Sequence, residues 1–597
     1  MTKLKDTFRK LRVLFDKRDK KKFLLLFIMM IIAAIFETAG IGLIVPFVGI
    51  VTNPTMIQEQ PILSFAYKLL NFQSVNTFII FAVGILLTVF ILKNGYLLGF
   101  YYLQYRVIFN QKVKLSSLMF KGYLTKPYTF HLQRNSAELL RNVNGEVSKI
   151  FDGILLATFQ LLTETLVVFS ILSLLIITAP LATLTAGILL GGSVFIFFKI
   201  FRNKITYLGK ENQKISREVI KWVNQGLGAS KEIKVSGKEH YFVNSYEKQS
   251  RIMARNTIYK NMLDQVPRLF IETLLVSVVL ITMIIIVFQG TNTANLVATM
   301  SLFAMAAFRL MPSINRIVAS LSTIRFSQPA LTVVYKDLIE DNLGRKPKSE
   351  NEINESKPVK VAKGEKTFKK SINLEKVYFR YPNQDDYSIN DVSLTIPIGN
   401  SVAFVGTSGA GKTTIVDIIL GLLEPEKGLV FIDGKELNEL LPTWKSKIGY
   451  IPQSIYLSDE TIRKNVAFGI DDNDIDELAV QKAIKDAQLE NFVDSLPEGL
   501  DTIVGERGVR LSGGQRQRIG IARALYYNPE IIFLDEATSA LDNSTEKEIM
   551  RAIDGLKGEK TLIIIAHRLS TIENCDIVFK VDKGRLVTVD HKLMRSM

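Results

Sequence analysis

Apolar residues run almost unbroken over 23–51. At about 1.5 Å per helical residue this stretch reaches about 43 Å, longer than the roughly 30 Å hydrocarbon layer of a bilayer. Five more runs of spanning length follow, at 78–102, 154–178, 181–200, 266–288 and 294–323. The pattern therefore predicts a six-helix transmembrane domain. The first run follows a basic segment as a secretory signal would, but it is too long for one and no small-residue cleavage pattern follows it. It reads as a retained helix. The polar stretches 103–153 and 201–262 keep a helical period, so the spans are expected to continue as long cytoplasmic extensions. Between the first two runs, Ile62, Leu63, Phe65, Ala66, Leu69 and Leu70 share a helical face behind Pro61, predicting a short amphipathic helix on the external side, which caps the bundle or touches lipid. After residue 323 the pattern changes. Residues 341–370 are charged, contain Pro347 and Pro358 and lack apolar periodicity, as a linker does. Beyond them, short apolar strands alternate with helical patterns, predicting an α/β domain over 371–597 behind a transmembrane domain over 1–340.

Charge sets an orientation for this plan. The chain of 597 residues carries 74 basic and 58 acidic side chains, a net charge of +16 that elsewhere would suggest nucleic acid. Here the cations flank the spans. Ten of them (Lys3, Lys5, Arg9, Lys10, Arg12, Lys17, Arg18, Lys20, Lys21 and Lys22) precede Phe23, whereas 52–76 holds only Lys68. The positive-inside rule places the N-terminus, the two long extensions and the α/β domain in the cytoplasm, in a multi-pass protein of the cell (inner) membrane. No nucleic-acid partner is expected. The single Cys575 excludes a disulfide framework, and His131, His240, His567 and His591 are too scattered for a structural metal site.

The α/β domain carries recognisable chemistry. Gly406-Thr407-Ser408-Gly409-Ala410-Gly411-Lys412-Thr413 follows an apolar strand and precedes a helical pattern beginning Thr414, the context a phosphate-binding loop requires. Glycines let backbone N–H groups converge on phosphate, Lys412 adds a point charge, and Thr413 offers a hydroxyl to Mg²⁺. A second strand, 531–534, ends in Asp535 and Glu536, suited to hold Mg²⁺ and to activate water respectively.

Leu511-Ser512-Gly513-Gly514-Gln515 then makes the chain resemble the ATP-binding cassette (ABC) transporters along its whole length, in the half-transporter arrangement of the exporters. The resemblance implies an ATP hydrolase coupled to translocation and a homodimer. In it Ser512, Gly513, Gly514 and Gln515 of one subunit clamp nucleotide held by the other. It also implies that Tyr381 stacks on adenine, that Gln453 senses Mg²⁺ and the membrane domain, and that His567 contacts the γ-phosphate. By the same likeness 539–542 is a dimer-contact loop, 505–508 an exporter segment, and 133–140 and 226–233 hold coupling helices.

Charges left inside the spans point to cargo, because an unpaired ion in hydrocarbon is costly. Arg309 and Arg316 lie two turns apart around Pro312, and Arg268 and Glu272 are spaced to pair. They either bind one another and headgroups or face substrate. The sequence around Arg268 and from Phe308 to Arg316, with Glu37, Glu164 and the external helix, resembles the lipid-linked oligosaccharide flippases of bacterial protein N-glycosylation. That likeness implies a polyprenyl-pyrophosphate-linked glycan as substrate, membrane lipid as a partner, and Arg268, Arg309 and Arg316 as its contacts. Lys93 stands where that group has an arginine, so a related lipid-linked glycan also fits. An exporter of drugs, lipids or peptides is the other transport reading, and a regulatory ATPase that transports nothing is a third.

Overall fold

Leu43 interrupts the first apolar run, separating helix α1 (Lys17–Gly42) from α2 (Ile44–Thr52). The reason is Pro46, which lacks an N–H and is tolerated within a first helical turn, where no intrahelical partner is lost. This computed structural model describes residues 2–52, 54–178, 180–288, 293–340, 367–535, 551, 553–566, 572 and 575–589. The chain divides into two units: 1–126 with 134–347, and 127–133 with 348–597.

The first unit is helical. The amphipathic helix expected between the first two runs is α3 (Pro61–Leu69), with Pro61 at its first position. Leu63, Ala66 and Tyr67 pack towards Ile50, Ile57 and Phe78, while Phe65 and Leu69 stay exposed. Helix α4 (Val75–Leu124), capped by the Ser74 hydroxyl, contains the second run and continues through 50 residues. The third run lies in α5 (Leu156–Thr178), the fourth in α6 (Pro180–Gly228), the fifth in α7 (Glu239–Phe288) and the sixth in α8 (Thr293–Tyr335). At about 1.5 Å per residue, helices of 43 to 50 residues exceed any bilayer, so the long extensions are continuous with the spans. Among the described residues, the stretches Lys17–Gly40, Val75–Leu124, Ser136–Ile177 and Arg309–Ile339 are long and apolar enough to cross a membrane.

Apolar side chains such as Ile80, Leu98 and Ile188 face outward, as contact with lipid tails requires. The interior is held by Ala34, Val167, Ile171, Leu310, Ile314 and Val318. Two glycines set helix spacing: a Cβ at Gly209 of α6 would lie 2.2 Å from the Phe326 carbonyl oxygen of α8, and one at Gly153 would lie 2.0 Å from Ser327 Oγ. Just past α8, in the turn Lys336–Glu340, Asp337 accepts from Tyr123 Oη (2.5 Å) and Asn142 Nδ2 (3.1 Å) in a buried polar junction, with Arg134 at 3.5 Å. Near the expected coupling positions lie short helices, Ser136–Arg141 and Ser230–Ser236 in this unit and Tyr128–Gln133 in the second.

The second unit contains two sheets. Strands β1 (Ser371–Phe379), β2 (Ile389–Pro397), β4 (Lys427–Ile432) and β5 (Lys435–Glu436) form an antiparallel sheet in the order β2-β1-β4-β5. The central sheet runs β10-β9-β3-β8-β7-β6, from β3 (Ser401–Val405), β6 (Ile448–Ile451), β7 (Ile531–Asp535), β8 (Thr561–Ile565), β9 (Ile577–Asp582) and β10 (Arg585–Val589). It is parallel except at β10. Strands β3, β7 and β8 are buried along their whole length, as their unbroken apolar runs demand. Such a sheet presents its functional loops at the carboxyl ends of its strands.

Candidate functional site

Strand β3 delivers the chain at Gly406 into the phosphate loop, and helix α9 (Lys412–Ile419) leaves it. Gly406 is required by close approach, since a Cβ there would meet the Val581 carbonyl oxygen at 2.2 Å. Gly411 is required by its left-handed φ of 106° and by Ser388 O at 3.0 Å. The Ala410 carbonyl accepts from Gly584 N–H at 2.9 Å, tying the loop to the β9–β10 turn. Lys412 Nζ donates to the Gly406 and Thr407 carbonyls at 2.9 and 3.1 Å, which holds its charge at the start of the loop. Thr413 is exposed at the start of α9, whereas the buried Thr414 bonds the Tyr381 hydroxyl at 3.0 Å. Tyr381 lies edge-on to Phe379, its ring centroid 5.1 Å away. This joins the expected aromatic platform to the phosphate loop.

Asp535 ends β7 at 9% exposure, and the Tyr450 hydroxyl stands 3.5 Å from its Oδ2. Thr413, Asp535 and the exposed Gln453 offer a hydroxyl, a carboxylate and an amide, hard oxygen donors that fit Mg²⁺. Among the described residues no His, Cys, Asp and Glu cluster could hold a metal by itself. The glycine-lined cradle and the adjoining lysine fit ATP.

Asp417, on the buried face of α9, was not expected from the sequence. Burial and the nearby Asp535 carboxylate push its pKa up to about 6. The signal was a carboxylate among Ile415, Val416, Ile418 and Ile419, on a face that otherwise reads as core. Tyr128 and Tyr450 also border this acidic floor, and burial, then Asp417 and Asp535 respectively, raises their pKa values.

The signature segment starts helix α10 (Gly513–Leu525). Ser512 Oγ accepts from Gln515 N–H at 3.2 Å, and Gln515 Oε1 accepts from Ser512 N–H at 2.8 Å, a reciprocal capping box. Ser512 and Gly513 are exposed and Gly514 is buried, so the first turn presents small residues and backbone amides to an anion. Arg523 fixes this helix to the chain beyond Gln453: it donates to the Tyr456 carbonyl (2.7 Å), the Asn465 carbonyl (2.8 Å) and Asn465 Oδ1 (3.0 Å). Sequence reading missed this brace, whose partners lie 58 residues apart. Glu536, His567 and 539–542 lie outside the described residues.

In the membrane unit, Arg309 and Arg316 come together with three residues of other helices. Arg309 donates Nε to Glu37 Oε2 at 3.2 Å and Nη1 to Ser313 Oγ at 3.0 Å, and stands 3.8 Å from Glu164 Oε2. Arg316 Nη1 lies 3.1 Å from Glu164 Oε1, and Lys93 Nζ lies 3.5 Å from Glu37 Oε2. Arg268 and Glu272 are both exposed, and no ion pair joins them among the described residues. An exposed pair gains too little to hold two long side chains in register.

Residues 389–539 match the family described as ABC transporter, and residues 23–311 match the ABC transporter transmembrane region. The chain is 31% identical over 479 residues to the ATP-dependent lipid A-core flippase of Cupriavidus metallidurans, covering 79% of this chain and 78% of that protein. It is 33% identical over 488 residues to the flippase of the same name from Saccharophagus degradans, covering 80% and 78%. Mouse mitochondrial ATP-binding cassette sub-family B member 10 is 44% identical over 225 residues, 37% of this chain and 32% of its own. The solved structure of a bacterial Atm1-family ABC exporter with ATP bound superposes with a TM-score of 0.76 at 23% identity, covering 97% of each chain, which is a likeness of fold.

Proposed function

Because the chain belongs to the ABC transporter family and couples ATP hydrolysis to translocation across the membrane it spans, we propose that its cargo is a lipid bearing a phosphorylated glycan headgroup. Residues 1–340 are the membrane unit, 341–370 the linker and 371–597 the cassette. Two copies act together and move the lipid from the cytoplasmic to the outer leaflet of the cell membrane, with the N-terminus and cassette in the cytoplasm. The observation that carries this reading is the set of three cations, Lys93, Arg309 and Arg316, gathered with two carboxylates, Glu37 and Glu164, within apolar spans. Guanidinium groups bind phosphate oxygens bidentately. The polyprenyl-pyrophosphate-linked oligosaccharide expected from the sequence is one such lipid. Relatives named for a lipid A-core widen the class to phosphorylated glycolipids. Arg268 is assigned a contact nearer the cytoplasmic end of the cargo's path. In the cassette, Thr413, Gln453 and Asp535 hold Mg²⁺, Glu536 activates water and His567 contacts the γ-phosphate.

The test is ATP-dependent movement of labelled polyprenyl-pyrophosphate oligosaccharide and of labelled lipid A-core in proteoliposomes, with drug and peptide competitors. Exchanging Arg309 and Arg316 together for Gln is expected to lower lipid translocation at least about tenfold more than ATPase, given the strength of charge-assisted phosphate contacts. Transport of a drug or peptide with no movement of either lipid would replace this reading with the general exporter.

A further inference from the structure

The charge cluster is unbalanced in two ways that a purely structural clamp would avoid. Among the described residues, three cations (Lys93, Arg309 and Arg316) share two carboxylates (Glu37 and Glu164), leaving one surplus positive charge per chain. Moreover Glu164, only 3% exposed, has no hydrogen bond to Oε2 among the described residues. A buried carboxylate oxygen without a hydrogen bond is uncommon, and within an apolar shell it is costly. That shell is present: Val167 and Ile171 on the helix of Glu164, and Leu310, Ile314 and Val318 on that of the arginines, belong to the buried core. The asymmetry of the two arginines shows what the arrangement allows. The Arg316 side chain is 39% exposed and holds Glu164 through one terminal nitrogen, whereas Arg309 is enclosed at 21% and already engages Glu37 and Ser313. Glu164 Oε2, the unbonded oxygen, lies 3.8 Å from Arg309 Nη1. Release of Arg316 therefore leaves Glu164 with a second cation at hand.

Building on the anionic-cargo reading, we propose that Glu164 is a displaceable counter-ion and a determinant of specificity: a phosphate oxygen takes Arg316 from it, and the freed carboxylate closes on Arg309. The carboxylates then act as competitors that a headgroup must outbid, which a neutral or zwitterionic headgroup fails to do. A surplus of one charge per chain is two in a pair of chains, matching the two negative charges of a diphosphate diester better than the single charge of a monophosphate diester. Glu37 plays the lesser part, holding Arg309 and Lys93 in place.

The test uses the full-length protein in nanodiscs. It reads the lipid concentration that half-maximally stimulates ATPase, for a polyprenyl-diphosphate-linked sugar, the same sugar linked through polyprenyl monophosphate, and phosphatidylcholine. Glu164→Gln is expected to lower the half-stimulating concentration of the monophosphate by about tenfold, because removing one charge a few ångströms from Arg316 changes its field by more than that factor requires. The gap between monophosphate and diphosphate should shrink, and Glu164→Asp should restore it. Glu37→Gln, expected to shift the same ratio less, keeps the proposal testable if Glu164→Gln does not fold. An unchanged ratio in both glutamine variants, with Arg316→Gln still weakening stimulation by both phosphates, overturns the counter-ion role alone. If Arg316→Gln leaves stimulation by both phosphates at the parental level, the anionic-cargo reading itself fails.

Discussion

Asp417 shares the floor of the phosphate site with Asp535, and its raised pKa makes the cassette sensitive to mild acid. The folded chain binds this proton more tightly than the unfolded chain, so the group stabilises the fold most below pH about 4 and that contribution is lost as pH rises through about 6. A shift from 3.8 to about 6 is worth at most about 3 kcal/mol. Melts of the nucleotide-free protein between pH 4 and 7 should accordingly show parental stability, relative to Asp417→Asn, falling with pH across that window. A constant difference would assign Asp417 an ordinary pKa. Glu536 follows Asp535 directly in the chain, and its carboxylate is the proposed base for hydrolysis. Glu536→Gln should keep ATP binding and lose about 10²-fold or more in turnover, the usual cost of removing a positioned proton acceptor. Nucleotide binding and single-turnover hydrolysis, measured separately, distinguish this from Lys412→Ala, which should weaken binding itself.

Among the helices, close approach at Gly209 is the most demanding contact. A methyl group there would meet the Phe326 carbonyl at 2.2 Å, and backbone on both sides leaves no flexible side chain to yield. Gly209→Ala should therefore force α6 from α8 at a cost of about 1–3 kcal/mol, the range for overpacking, seen as a lower melting temperature of the detergent-solubilised protein. Melting at the parental temperature would mean that the two helices part without penalty. Gly209 looks unremarkable in the sequence because its constraint comes from another helix. The phosphate loop, by contrast, was legible because glycine spacing and a following helix start encode its geometry within a few residues. The signature segment was legible through its resemblance to the ABC transporters, while the mutual capping of Ser512 and Gln515 emerged only in the structure. Pairing in the membrane unit was not legible. Arg309 and Glu37 are 272 positions apart, while the local spacing of Arg268 and Glu272 suggested a pair that does not form. Leu43 and Pro46 mark a similar limit: hydrophobicity predicted one continuous span, and the missing N–H divided it into two helices.

For the whole molecule, the proposed pair of chains makes each ATP site composite, with the phosphate loop of one chain facing the signature helix of the other. Mixing a Lys412→Ala chain with a Gly514→Asp chain then concentrates both lesions in one site and leaves the other intact. ATPase should reappear in the mixed population, up to about half the parental value per mixed dimer if the sites act independently, although either variant alone is inactive. No recovery, with mixed dimers verified by dual-tag purification, would place loop and signature of the same chain together. The surplus charge of the Lys93–Glu37–Arg309–Glu164–Arg316 cluster also has an electrical consequence. An elementary charge carried fully across 100 mV exchanges about 2.3 kcal/mol with the field. A shift of the cluster through about a fifth of the membrane field during alternating access thus changes a conformational step by about 0.5 kcal/mol, roughly twofold in rate. The interior-negative voltage of an energised cell would favour the step that carries these cations inward and oppose the reverse, making transport partly a function of membrane potential as well as of ATP.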